Sequence, residues 1–233
     1  MTRQRIRLWD VPTRLFHWLL ALSVAAALIS AQIGGNFMDW HGRLGLFIVG
    51  LVVFRLVWGV MGSTYARFTQ FFPTPAKVKL YLRGEWSGVG HNPLGALSVL
   101  GLLGLLGFQA TSGLFSNDDI SFIGPLFDLV GKDRSNQLTQ LHHWVSNLIY
   151  LLIGLHLAAI GFYAFVKKDN LVKPMLTGWK ESDPAGQALS ATGGGWVALI
   201  VSLCFAGAAV YAASGVWMPT PPPPPATATT PAW

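Results

Sequence analysis

Residues 140–166 read QLHHWVSNLIYLLIGLHLAAIGFYAFV, a run long enough to cross about 30 Å of hydrocarbon as a helix, yet it carries His142 and His156. Imidazole is costly to place in lipid, so histidines at two depths of one span need a polar partner, and metal best suits such a pair. The two are fourteen residues apart. At about 100° and 1.5 Å per residue, the second ring comes within about 40° of the first face and roughly 21 Å further along. Ligands on one face at two depths imply two stacked metal centres.

The rest of the chain has the same solvent. Apolar residues make up 52% and charged ones only 11% of its 233 residues, a balance too apolar for an ordinary water-soluble domain. Five stretches have the length of spans: roughly 13 to 32, 43 to 62, 94 to 115, 140 to 166 and 195 to 214. Backbone groups in lipid must be satisfied internally, so the expected fold is an all-α integral membrane bundle of four helices with a fifth C-terminal transmembrane helix. The basic MTRQRIR before the first run, with small residues at Ser30 and Ala31, also fits a signal peptide. That run is long for one and carries His17, so it is read as a retained span.

Charge sets the expected sidedness. Twelve of the sixteen Lys and Arg fall before the first span (Arg3, Arg5, Arg7, Arg14), between the second and third (Arg67, Lys77, Lys79, Arg83) and after the fourth (Lys167, Lys168, Lys173, Lys180). Alternating spans put all three groups on one side, which the positive-inside rule makes cytoplasmic. The expectation is a multi-pass membrane protein with its N-terminus in the cytoplasm and its C-terminus outside. The net charge of +6 then reflects topology and anionic membrane lipid, not nucleic acid. Tryptophans near span ends (Trp9, Trp18, Trp40, Trp58, Trp144, Trp179, Trp217) fit an interfacial belt.

A single cysteine, Cys204, excludes an intrachain disulfide, a thiolate iron–sulfur cluster and the C-x-x-C-H attachment of a c-type haem. Residues 1–181 hold all six histidines and form one expected unit. Residues 182–194 read as a flexible linker, 195–217 as the additional helix, and 218–233 as an outward-facing polyproline spacer. Asn92 and Pro93 form a cap and first-turn pair for the third span.

Alternation sorts the histidines by depth. His17 and His156 lie toward the cytoplasm, His41 and His142 toward the outside, giving two bis-histidine sites. Haem suits them, because iron takes axial imidazoles from opposite sides and a four-helix bundle presents ligands from facing helices. Zinc would want four ligands at one depth. His143 is thirteen steps from His156 and so about 140° away on the helix, facing elsewhere. His91, in GHNPLG, reads as a cap or interfacial residue, with a quinone or propionate contact as the lesser reading. Arg55 lies deep in the second span, fourteen after His41, and no proposed span contains Asp or Glu. A propionate of the inner haem would supply the anion it needs. Arg43 and Arg14 are weaker candidates, since both can snorkel to headgroups.

Four segments together resemble the bacterial cytochrome b561 family, including the b-type cytochrome subunits of nickel–iron hydrogenases. They are WDVPTRLFHWLL with His17, WHGRLGLFIVGLVVFRLVWGVMGS with His41 and Arg55, GHNPLGALSVLGLLGLLGFQATSGLF, and LHHWVSNLIYLLIGLHLAAIGFYAFVKKDNLVKPMLTG with His142 and His156. The similarity runs in order over about residues 5 to 179. It implies a four-helix, di-haem electron carrier with two non-covalent haem b groups ligated by His17, His41, His142 and His156. The fifth span and the proline tail depart from the basic pattern, and the resemblance gives them no role.

The expected function is therefore electron transfer across the membrane between an external redox partner and the quinone pool, with haem potentials set by bis-imidazole ligation, burial and nearby charge. A hydrogenase or a periplasmic c-type cytochrome would suit as partner. The aspartate-bearing loop from Ser116 to Asp133 offers a docking surface for a basic one. Two other readings are a haem-free membrane anchor of a redox complex and a metal transporter. The transporter reading lacks acidic ligands among the spans.

Overall fold

The computed structural model describes residues 4–120, 122–182 and 189–219. In chain order the described residues form strand β1 (Gln4–Arg7) and helices α1 (Val11–Ile33), α2 (Phe37–Met61), α3 (Phe68–Phe71), α4 (Pro75–Leu82), α5 (Pro93–Gly113), α6 (Gly131–Phe165) and α7 (Val172–Thr177), then strand β2 (Trp179–Ser182) and helix α8 (Gly195–Ala213). Five of these, α1, α2, α5, α6 and α8, are long and apolar enough to cross a membrane. They correspond to the five expected spans.

Local chemistry explains most of the boundaries. Asp10 caps α1 by accepting from Thr13 N at 2.6 Å, Pro12 follows the cap, and Gly34, at φ +69°, ends the helix. Asn92 caps α5 by accepting from Gly95 N at 2.7 Å, with Pro93 behind it, as its sequence position implies. The fourth span differs. Helix α6 is 35 residues and begins at Gly131, about two and a half turns before the apolar run. Its first turns, GKDRSNQLTQ, are polar, so hydropathy alone does not reveal them, although such residues hold a helix well in water.

Side-by-side packing ties the spans together. Helix α1 lies along α2, α5 along α6, and α5 also meets α2, whereas α6 has no extensive packing on α1 or α2. Helix α8 runs along α2. Gly50 permits this approach: a Cβ there would sit 2.8 Å from Val210 Cγ2. On the α8 side Ser202 and Ala198 are buried, and Ala198 shares the main apolar core with Phe54, Trp58 and Leu103. Small residues at the contact let two backbones pack without a polar seam.

The ends of the bundle establish the alternation of spans. Strand β1 pairs antiparallel with β2, from Gln4 with Ser182 to Arg7 with Trp179, so the start of the chain and the segment after α6 share one end. Residues before α8 join the same end: Ala191 N donates to Arg7 O at 2.7 Å, Thr64 N to Thr192 O at 2.8 Å, and Tyr65 Oη to Leu189 O at 2.6 Å. This small ribbon is not legible from hydropathy. At the opposite end Leu114, Leu126 and Ala213 cluster, and Gly215, at φ +67°, brings its backbone against the carbonyl of Pro125. Linker residues 183–188 and the proline-rich tail from residue 220 lie outside the described residues.

The tryptophan belt is narrower than expected. Trp18, Trp40, Trp144, Trp179 and Trp217 are exposed, but Trp9 and Trp58 are buried. Trp58 Nε1 donates to Asp10 Oδ2 at 3.1 Å, which makes it a core residue with a polar handle.

Candidate functional site

Four histidines meet in two pairs. The rings of His17, on α1, and His156, on α6, have centroids 6.5 Å apart. Those of His41, on α2, and His142, on α6, are 6.0 Å apart. The pairs bridge the interval between α6 and the α1–α2 hairpin, where direct helix packing is sparse. They are the pairs that depth sorting anticipates. His143 is exposed and its ring stands edge-on to that of His142, 6.3 Å away, so it belongs to neither pair.

Simple geometry tests whether a haem iron suits these pairs. An imidazole nitrogen binds a first-row metal at about 2.0 Å and lies ~1.1 Å from its ring centre, so two imidazoles flanking one iron would have centroids roughly 6.2 Å apart. Both observed spacings lie close to that. Among the described residues no three His, Cys, Asp or Glu gather as a metal cluster, so the donor set is two separate pairs and not one tetrahedral site.

The shells around the pairs differ. At the outer pair His41 Nδ1 faces Ala27 O at 2.9 Å, and His142 Nδ1 faces Gln109 O at 3.0 Å and Ser112 Oγ at 3.2 Å. With Nδ1 protonated and donating to a carbonyl, Nε2 is left with its lone pair free for a metal. Gly113 makes room for this ring: a Cβ there would lie 3.0 Å from His142 Cε1. Gln109, Ser112 and Gly113 escape a reading built on histidine spacing, because they act through a main-chain carbonyl, a hydroxyl and absence of bulk. At the inner pair His17 Nδ1 is buried without a hydrogen-bond partner among the described residues.

Arg55 stands near the inner pair's end of the bundle, 3% exposed. Its guanidinium lies 4.7 Å from the Phe68 ring centre, and Nη1 has no hydrogen-bond partner among the described residues. The carboxylate whose charge it feels is Asp10, just outside the first expected span. Asp10 is already committed to Thr13 N, Trp58 Nε1 and the Ser63 hydroxyl. Arg55 therefore retains donor capacity in a dry setting, which a carboxylate would satisfy.

His91 belongs with this group. Its ring lies 4.7 Å from that of Trp9 and 4.4 Å from that of Phe71, and its buried Nδ1 has no partner among the described residues. Burial first, then the positive charge of Arg55 and the proximity of His17, push His91 down to about 3, so its imidazole is neutral at physiological pH. The cap of α5 is Asn92, not His91.

The weaker sequence candidates lie elsewhere. Arg14 is bound to the carbonyls of Met175 and Leu176 at the end of α7, and Arg43 stacks on Trp40 at 5.2 Å. In the loop after α5, Asp118 accepts from Ile120 N and Phe122 N at 2.9 and 2.8 Å, and Asp119 pairs with Lys132. Both aspartates hold that loop in shape. Its Phe122 ring packs at Gly42, next to His41.

Residues 8–178 match the prokaryotic cytochrome b561 family. A probable Ni/Fe-hydrogenase B-type cytochrome subunit of Azotobacter chroococcum mcd 1 is 22% identical over 218 residues, covering 75% of this chain and 88% of that protein. The corresponding protein of Azotobacter vinelandii gives the same figures, and that of Rhizobium leguminosarum bv. viciae is 22% identical over 217 residues, covering 76% and 89%. No solved structure matches. The chain belongs to the prokaryotic cytochrome b561 family and is a multi-pass membrane b-type cytochrome, a haem b protein of membrane electron transfer.

Proposed function

We propose that the chain holds two haem b groups, one between His17 and His156 and one between His41 and His142, and conducts electrons across the inner membrane between an external redox partner and quinone. The observation that carries this reading is the pair of imidazole spacings, 6.5 and 6.0 Å, each suited to one iron. When bound, haem supplies a one-electron ferric–ferrous couple. The protein's part is to present the imidazoles, orient them and set the surrounding charge.

At the outer pair, the carbonyls of Ala27 and Gln109 fix ring orientation and strengthen each imidazole as a donor. At the inner pair, the Arg55 guanidinium and the His91 imidazole offer the unpartnered polar atoms that would hold a propionate. With both histidines of a pair holding the iron, no position would remain open for a substrate, so the reading is outer-sphere transfer and not oxygenation. The basic segments at the inner-pair end support its assignment to the cytoplasm, with the C-terminus outside. The relatives are named as hydrogenase subunits, which supports a hydrogenase-like protein as external partner, with a periplasmic c-type cytochrome as the other candidate.

The test is the spectrum and haem content of the purified full chain. A reduced b-type band with two haems per chain is expected. One haem per chain would remove one of the two sites, and none would overturn the reading.

A further inference from the structure

On the side of the bundle that carries the inner pair, the segment FPTPAKVKLYLR (72–83) contains no acidic residue. Thr74 caps α4 through Lys77 N, and Pro75 opens it. Tyr81 then binds the Tyr163 hydroxyl, which also accepts from Asn92 Nδ2 at 2.6 Å. These contacts hold α4 against α5 and α6 and leave an open groove of about 620 Å³ between α4 and the first turns of α5. Its floor is Val78, Leu82 and Leu97, and its rim is Lys79 and Arg83.

Two properties identify the occupant. The floor is continuous with surface that faces the bilayer: Leu82 is 70% exposed, and Leu80, Leu94 and Leu97 are exposed beside it at the start of a spanning helix. The rim cations are free. Lys77 donates to Phe72 O, but Lys79 and Arg83 enter no side-chain hydrogen bond or ion pair among the described residues. An apolar trough at the end of a span, bounded by two unpaired cations, has the chemistry of a phospholipid set upright: acyl chain below, phosphate above.

We propose that this groove binds one anionic phospholipid, its phosphate on Lys79 and Arg83 and an acyl chain along Val78, Leu82 and Leu97. The groove does not involve the histidine pairs, so the proposal stands apart from the haem assignment.

Spin-labelled phosphatidylglycerol and phosphatidylcholine of identical chains, added to the full-length protein in detergent, provide the test. The wild type is expected to immobilise phosphatidylglycerol preferentially. Each cation near an anionic headgroup is worth about fivefold, so the K79Q/R83Q variant should lose on the order of tenfold or more of that preference. A K167Q/K168Q variant, altered in another basic loop, should keep it. Equal retention of the two lipids by the wild type would overturn the proposal. So would an unchanged K79Q/R83Q variant, or an equal loss in K167Q/K168Q, which would mark diffuse charge attraction.

Discussion

The backbone oxygen of Gln109 lies 3.0 Å from His142 Nδ1, so a carbonyl of α5 sets the ring orientation of a histidine on α6. The Ser112 hydroxyl donates to the same oxygen at 3.0 Å and stands 3.2 Å from the same nitrogen. Replacing Ser112 by Ala removes only the hydroxyl, a change of about 1 kcal/mol in the hydrogen bonding. S112A should retain both haems, while the outer haem's potential rises because its imidazole becomes a weaker donor. Redox titration of the absorption spectrum measures this, and an unchanged or lowered potential would contradict the role given to Ser112.

Ligand assignment has a direct check in haem stoichiometry. His17→Ala and His156→Ala should each remove the inner haem, and His41→Ala and His142→Ala the outer one, leaving one haem per chain. His143→Ala should leave two. Loss of a haem in the His143 variant would reverse the choice between neighbours.

Gly113 supplies a steric version of the same test. A Cβ at this position would already lie 3.0 Å from His142 Cε1, and the branched side chain of valine would displace the ring. Overpacking of this kind costs about 1–3 kcal/mol. Gly113→Val should therefore lower outer-haem occupancy while the inner haem persists, as read from pyridine haemochrome content and the remaining potential.

Arg55→Gln should lower the inner haem's potential, because a nearby cation favours the reduced state. A unit charge roughly 10 Å away at an effective dielectric of ~20 is worth about 1.7 kcal/mol. That corresponds to on the order of 70 mV for one electron. If the outer potential moves and the inner does not, the propionate role of Arg55 is wrong.

His91 makes stability depend on acidity. Its ordinary value near 6.5 falls to about 3 in the folded protein, so between those values the unfolded chain binds more protons. Stability from this group is complete above about 6.5 and declines as pH falls toward 3, by at most about 1.4 kcal/mol per pH unit. His91→Phe should flatten that part of a thermal-stability profile between pH 6.5 and 4. An unaltered slope would show that other groups cause it.

Much of this architecture is legible in the sequence because hydropathy reports lipid exposure directly. All five spans follow from it, and the fourteen-residue step between His142 and His156, taken together with the alternation of the spans, sorts the histidines into pairs. The start of α6 is not legible, since a helix that continues into water carries no hydropathy signal. Nor is Asp10, which lies outside the apolar run but folds back beneath Trp58 and Ser63 toward Arg55. His91 is one residue before a good cap and looks like part of it. Only the packing of Trp9 and Phe71 around its ring reveals that its Nδ1 is buried. Second-neighbour groups such as Gln109 act through main-chain atoms, which every residue type shares.

The β1–β2 ribbon has a consequence for biosynthesis. Strand β1 is the first described element to leave the ribosome, but its partners, Trp179–Ser182 and Ala191, emerge after four spans have been made. Closure across so long a loop is slow compared with helix formation. During translation the ribbon that closes the end of the bundle beside His17 and His156 consequently forms only after α6 is complete. A prosthetic group held at that end would have a time window for insertion, which ends when Trp179–Ser182 and Ala191 pair with the start of the chain.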